Sequence, residues 1–216
     1  DLRMSRGLGD VYKRQSLYRF NRMPIRPGSQ TSPDISGVLD ENGAAILKMD
    51  SIILNGMSIM TSHSFSPCVK ITGNVQFENS LAHAISSCRV DLDGAVSMAL
   101  EGRFVFLNNG QALRVWGKSN VVIGDNALFR GNWIGAIPIE TNDDGGAIWS
   151  RGGNVIIGNH AEFDGNYVFS DTRPCRGGVF YDDFFGGAIT VGADAVFTGN
   201  FVFSTGYAAP VSYTHL

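Results

Sequence analysis

The sequence predicts an all-β chain wound into a right-handed, single-stranded parallel β-helix, and three observations carry that reading. Phe-x-x-Asn occurs four times, as Phe106-Leu107-Asn108-Asn109, Phe129-Arg130-Gly131-Asn132, Phe163-Asp164-Gly165-Asn166 and Phe197-Thr198-Gly199-Asn200, the last three spaced by 34 residues. Short strand-forming runs recur in register with them: Val121-Val122-Ile123, Val155-Ile156-Ile157 and Ala188-Ile189-Thr190-Val191, bounded by Gly, Asn and Asp. No window of a dozen residues has clean helical periodicity, and 27 glycines in 216 residues would weaken helices throughout. Fixed-period self-similarity means stacked units that bury their apolar faces only against one another. Strand formers between turn residues make those units strands. Similar hairpins in a β-sandwich are the competing architecture.

In such a coil each repeated Phe points inward from a strand end, and Gly-Asn makes the turn, Asn tolerating the left-handed region at low cost. Asn132, Asn166 and Asn200 then lie about 4.8 Å apart on successive coils, placed to hydrogen-bond side chain to side chain. Trp133, Tyr167 and Phe201, which follow them, form an aromatic column alongside. The structural repeat positions are thus Phe106, Asn109, Phe129, Asn132, Phe163, Asn166, Phe197 and Asn200, with the glycine pairs Gly145-Gly146 and Gly186-Gly187.

Four segments follow along the chain. Asp10-Val11-Tyr12-Lys13-Arg14-Gln15 and Val211-Ser212-Tyr213-Thr214-His215-Leu216 resemble the two halves of a translated sequencing-adapter string. Residues 1–15 and 208–216 are therefore read as artefactual or disordered tails around a truncated fragment, whose parent is free to carry a signal peptide, anchor or further domain. Residues 16–36, with Pro24, Pro27 and Pro33, read as linker, and residues 37–207 as the β-helix. Within it, runs such as Ala44-Ala45-Ile46-Leu47, Ser51-Ile52-Ile53-Leu54, Val69-Lys70-Ile71, Val75-Gln76-Phe77 and Arg103-Phe104-Val105-Phe106 are degenerate coils. From Lys118 to Gly206 the repeat is sharp. Insertions at Ile137–Asp143 and Ser170–Cys175 should bulge from a corner of the coil.

The formal charge is −3, and without the first fifteen residues 13 basic side chains face 18 acidic ones. That balance, with no Lys/Arg cluster interleaved with aromatics, excludes a nucleic-acid-binding surface. No apolar run approaches membrane-spanning length, and nothing in the chain implies a cofactor.

Gly145-Gly146-Ala147-Ile148 and Gly186-Gly187-Ala188-Ile189, each followed by Phe-x-x-Asn, resemble the paired repeats of the polymorphic outer membrane proteins named in chlamydiae. The resemblance covers about Gly117 to Ser204. It implies a surface-exposed or secreted bacterial passenger, delivered by a C-terminal autotransporter barrel and used in adhesion to host surface proteins or glycans. Membrane attachment would come only through that barrel, which this sequence lacks. Gly177-Gly178-Val179-Phe180 is a near-copy, and no Gly-Gly-Ala-Ile precedes Phe106.

Two further constellations carry candidate chemistry. His63-Ser64-Phe65-Ser66-Pro67-Cys68 recurs as His83-Ala84-Ile85-Ser86-Ser87-Cys88, 20 residues on and close to one short coil. Two His and two Cys would suit zinc, although residues five apart on a strand diverge. Directly stacked, Cys68 and Cys88 would also be within disulfide reach. The favoured reading is a repeated core Cys and a repeated rim His, with Cys175 an exposed loop thiol. Pectin-lyase-like coils also host polysaccharide lyases and glycoside hydrolases, which need convergent carboxylates. Asp143, Asp144, Asp182 and Asp183, each pair just before a Gly-Gly-Ala-Ile, are the acids to consider for catalysis or calcium. They repeat with the scaffold, which favours solvated turn residues. A non-catalytic module is expected, with the carbohydrate-active enzyme as alternative.

Overall fold

The computed structural model describes residues 45–49, 52–56, 58–62, 68–81, 83–89, 96–135, 145–170, 175–183 and 186–204, and these form twenty strands and no helix. The chain winds upward in six rungs. The first holds β1 (Ala45–Lys48), β2 (Ile52–Asn55) and β3 (Ile59–Ser62); the second β4 (Val69–Thr72), β5 (Val75–Glu78) and β6 (Ile85–Arg89). The third holds β7 (Met98–Glu101), β8 (Phe104–Leu107) and β9 (Leu113–Gly117). The fourth gains a strand: β10 (Asn120–Ile123), β11 (Leu128–Arg130), β12 (Trp133–Gly135) and β13 (Ile148–Arg151). The fifth repeats it with β14 (Asn154–Ile157), β15 (Glu162–Asp164), β16 (Tyr167–Ser170) and β17 (Phe180–Asp183). The sixth comprises β18 (Ala188–Val191), β19 (Val196–Thr198) and β20 (Phe201–Ser204).

Corresponding strands of successive rungs pair in parallel. Four sheets result: sheet I (β1-β4-β7-β10-β14-β18), sheet II (β2-β5-β8-β11-β15-β19), sheet III (β12-β16-β20) and sheet IV (β3-β6-β9-β13-β17). The chain is thus a parallel β-solenoid, and the sandwich alternative falls. Because sheet III begins only at the fourth rung, the Phe106–Phe129 step is 23 residues and later steps are 34. The lengthening is the detour through β12 or β16 before the chain regains sheet IV.

Alternation along each strand places one row inside. Val69 and Ile71, Met98 and Leu100, Val121 and Ile123, and Val155 and Ile157 fill the core from sheet I, and Ile59, Ile85, Leu113 and Ile148 from sheet IV. Sheet II contributes a column of rings. Phe77, Phe106, Phe129, Phe163 and Phe197 stack with successive centroids 5.3, 4.8, 4.7 and 4.8 Å apart and planes within 11°. Four of these rings are fully buried, but Phe197, on the last rung, is 40 % exposed.

The Asn column is equally continuous. Asn109 Nδ2 donates to Asn132 Oδ1, Asn132 Nδ2 to Asn166 Oδ1 and Asn166 Nδ2 to Asn200 Oδ1, each at 2.9 Å. Each Oδ1 also accepts the backbone N–H of the Asn one rung below, at 3.2, 3.0 and 2.8 Å. Each Nδ2 sends its second proton to the carbonyl of the preceding rung's Phe: Asn132 to Phe106, Asn166 to Phe129 and Asn200 to Phe163. For Asn132 and Asn166 the capacity of the side-chain amide is filled by protein. Such a group left unpaired in the core would cost roughly 1–3 kcal/mol.

The turn itself differs from the expectation in one respect. The left-handed residue is the one before the ladder Asn: Gly131, Gly165 and Gly199 have φ of 62°, 59° and 61°, and Asn108 and Asn79 stand there in the rungs below at 51° and 55°. Only then can the next residue turn its side chain inward. Ser80 takes the ladder position on the second rung, its N–H bonded to Asn109 Oδ1 at 3.1 Å.

The two Gly-Gly-Ala-Ile copies also part company. Gly145–Ile148 leads into β13 of sheet IV, whereas Gly186–Ile189 leads into β18 of sheet I. The true partner of the first is the near-copy Gly177–Phe180, with Ile148 registered on Phe180 and Gly145 and Gly177 at φ 72° and 63°. The second stacks on Gly152-Gly153-Asn154-Val155, Ile189 lying over Val155.

Candidate functional site

With the core-facing rows committed to packing, chemistry belongs to the outward rows. On sheet III these are aromatic. Trp133 and Tyr167 stack at 6.5 Å, Tyr167 and Phe201 at 5.1 Å, and Phe169 and Phe203 at 5.3 Å, the last two pairs within 4° of parallel. The expected column of Trp133, Tyr167 and Phe201 is therefore present, and a second row joins it. Phe169, Phe201 and Phe203 are exposed. Ile134, Val168 and Val202 lie on the other face of sheet III and pack with Cys175 in a small cluster of their own.

Sheet IV carries a different outward face. Arg114 and Trp116 on β9 are registered on Trp149 and Arg151 of β13, giving a checkerboard of two guanidinium groups and two indoles. Arg114 Cζ lies 4.9 Å from the Trp149 ring and 5.8 Å from that of Trp116, and Arg151 Cζ lies 5.7 Å from Trp116. The two indoles meet edge to face at 6.2 Å. On the next rung Arg176 sits 5.9 Å from the Tyr181 ring and donates from Nη1 to its hydroxyl at 3.2 Å. Trp116 is 43 % exposed and Trp149 only 2 %. Trp149 Nε1 has no hydrogen-bond partner, the one such buried side-chain polar atom among the described residues. A buried donor left unpaired costs roughly 1–3 kcal/mol.

A third region lies at the corner between sheets I and II, where a groove of about 640 Å³ is lined by Arg103, Asp125, Leu128, His160 and Glu162, among others. Its acids are occupied. Asp125 Oδ1 accepts the Asn159 N–H at 2.7 Å, and Glu162 accepts from Arg130 at 3.0 Å. Arg130 also bonds Asp164 at 2.8 Å; the bonds to Glu162 first and Asp164 second hold its pKa above the usual value. Asn126, His160 and Asp194 repeat the left-handed turn here at φ 61°, 57° and 58°, and Asn159 relays the bond from Asp125 to the Ala193 N–H. This corner ladder is structural, and Gly-Asp-Asn-Ala, Gly-Asn-His-Ala and Gly-Ala-Asp-Ala were its signature in the sequence.

The acidic and cysteine candidates disperse. Asp143 and Asp144, and the insertion Ile137–Asp143 with them, lie outside the described residues. Asp182 and Asp183 are strand residues, not loop residues: β17 registers Asp182 on buried Ser150 and Val115 and Asp183 on Arg151, and Asp182 itself is exposed. No group of three or more His, Cys, Asp or Glu able to hold a metal occurs among the described residues. Cys68 and Cys88 do not stack, since Cys68 precedes β4 of sheet I while Cys88 lies in β6 of sheet IV, registered on Ser62 and Trp116. The offset of 20 residues matches no rung, because the early rungs advance by 24 and 29 residues at β1, β4 and β7. Cys68 is a free thiol, its Sγ donating to the Val96 carbonyl at 2.7 Å. His63 is outside the described residues. Cys175, expected as an exposed thiol, is buried: the chain re-enters the fold under sheet III before reaching β17.

The fold and these faces define the class as a parallel β-solenoid with two outward aromatic surfaces. Comparison with protein-family models, with curated proteins and with solved structures finds no match. Among the described residues no helix is long and apolar enough to cross a membrane.

Proposed function

We propose that the chain is a non-catalytic, adhesin-like passenger module, surface-exposed or secreted, of a bacterial outer membrane protein of the polymorphic kind whose repeats it resembles. The coil is a rigid spine in this reading, and the outward side chains bind host surface proteins or glycans. What carries it is the sheet III face: Phe169, Phe201 and Phe203 stand exposed on a scaffold pinned by the Asn column. Rigid aromatics give contact area at small cost in conformational freedom. Neither nucleic acid nor a cofactor enters, and membrane attachment belongs to a C-terminal barrel outside this sequence.

Adhesion to cultured cells and immobilised matrix glycans tests the reading. The double variant Phe201→Ser/Phe203→Ser should weaken adhesion at least about tenfold, and the chain should release no product from pectin or chondroitin. Product release that Asp182→Asn abolishes would replace this reading with the alternative, a β-helical polysaccharide lyase or glycoside hydrolase.

A further inference from the structure

We propose that the groove at the corner between sheets I and II is a binding site for the hydroxyls of a neutral glycan. The inference names a ligand class for the adhesive module and rests on that reading. It starts from the length of the corner. The second and third rungs pass from sheet I to sheet II through two residues, Gly73-Asn74 and Gly102-Arg103. The next three rungs use four: residues 124–127, 158–161 and 192–195. The corner therefore steps outward between the third and fourth rungs, and the groove of about 640 Å³ lies at that step. Gly102 and Arg103 line it from below, and residues 125–128, His160 and Glu162 from above. Gly102 sets the short corner tight on the rung beneath, where a Cβ would strike the Gly73 carbonyl. The volume falls among those of small-ligand sites, about 300–1,000 Å³.

The lining selects the ligand. Among the described residues the Arg103 guanidinium and the Asn126 side-chain amide have no hydrogen-bond partner. The two acids each use one oxygen in the scaffold, Asp125 Oδ1 for the Asn159 N–H and Glu162 Oε1 for Arg130, and keep the other. His160 Nδ1 stands 3.6 Å from Asp194 Oδ2, which leaves its Nε2. Unused donors and acceptors are thus gathered around the half-buried Leu128. A hydroxyl answers both kinds, since it donates to a carboxylate and accepts from a guanidinium or an amide. The C–H surface of a sugar ring suits Leu128. An anion would meet Asp125 and Glu162 beside Arg103, and a cation would meet Arg103. No group of three or more His, Cys, Asp or Glu able to hold a metal occurs among the described residues. An apolar ligand would take these polar groups out of water without replacing their bonds. A neutral sugar incurs none of these costs.

NMR of the histidine rings tests this on the whole chain, because His160 lines the groove and reports on it directly. The probes are maltohexaose, cellohexaose and mannohexaose, with a hyaluronan hexasaccharide and a chitosan hexamer as anionic and cationic counterparts. At least one neutral probe should shift the His160 signals saturably and leave those of His83, which lies outside the groove, in place. That binding should be the same at low and high salt, since no ion pair forms. Arg103→Gln should weaken it at least about tenfold. Asn126→Gly, which holds the φ of 61° without strain and deletes the amide, should weaken it severalfold. Both side chains are exposed, so neither variant should alter thermal melting appreciably. Silence at His160 with all three neutral probes overturns the inference, as does tighter binding of a charged probe or unchanged binding in Arg103→Gln. If it is overturned while adhesion still depends on Phe201 and Phe203, the adhesive reading stands without it. Saturable shifts at His160 in a chain that mediates no adhesion would remove the adhesive reading and keep the groove as a sugar site.

Discussion

The first three rungs and the last three solve one packing problem with different degrees of repetition. Below Gly117 each rung has three strands, and the residue at the ring position changes from Leu54 to Phe77 to Phe106. The ladder position there is Ser80 on the second rung and Asn109 on the third. Above Gly117 each rung takes an excursion through sheet III, and Phe, Gly and Asn recur without substitution. Burial is as complete in the lower rungs, where Leu54, Phe77, Phe104 and Phe106 are fully buried, as it is around Phe129 and Phe163. Sequence regularity and core quality are therefore separate properties. What stays constant is the alternation of inward and outward rows, and what repeats sharply is the turn.

The largest effect that sharpens this comparison is at the ring column. Phe129→Ala or Phe163→Ala should cost about 3–5 kcal/mol in denaturant unfolding, the usual loss for a buried ring. Phe197→Ala, same motif but 40 % exposed on the last rung, should cost less than half as much. Equal losses at Phe163 and Phe197 would mean that the Phe197 ring is packed as fully as the rings below it.

Next comes the ladder. Asn132→Ala strips acceptors from the Asn109 backbone and side chain and a donor from Asn166 Oδ1. With groups of that kind at roughly 1–3 kcal/mol each, a loss of about 2–3 kcal/mol is expected. Ser80→Ala, whose backbone N–H keeps its bond to Asn109, should cost about 1 kcal/mol or less. A Ser80 variant as damaging as the Asn132 variant would show that the lower rungs depend on side-chain bonds as much as the upper ones do.

Smaller again is the turn. Gly165 has φ 59° and open space where a Cβ would be, so Gly165→Ala should cost about 1 kcal/mol from backbone strain alone. Gly165→Asn should recover much of it, because Asn79 and Asn108 hold the same turn in the lower rungs. Gly131→Ala at nearly the same φ should cost more, since its Cβ would press on Asn108 Oδ1. If the two alanine variants unfold at the same denaturant concentration, that contact is relieved by side-chain movement. The smallest change, within about 0.5 kcal/mol, is expected for Ile156→Thr on the outward row of sheet I.

Much of the scaffold was legible because the Phe and Asn columns are held by identical residues, and identity at a fixed interval is what a reader of one sequence detects. Gly145–Ile148 and Gly186–Ile189 misled for the same reason. They are alike in letters yet open strands of different sheets, while Gly177–Phe180 and Gly152–Val155, unlike in letters, are their partners. Register, a two-dimensional property, decides which copies meet. Ser80 was missed because one hydroxyl residue replaced Asn in Phe77-Glu78-Asn79-Ser80. Cys68 and Cys88 do not stack because 20 residues is shorter than any early rung, which advances by 24 and then 29 residues. The sheet IV checkerboard left no repeat to find: Arg-x-Trp on β9 and Trp-x-Arg on β13 are reversed in order, and only the parallel register brings opposite members together.

The central claim is that the Phe-x-x-Asn residues form one continuous column, and solution NMR of the Asn side-chain amides tests it most directly. The amide protons of Asn109, Asn132 and Asn166 should be strongly protected from hydrogen exchange, each with NOEs to the Asn one rung above. Exchange at the rate of a free side-chain amide, without those NOEs, would contradict it.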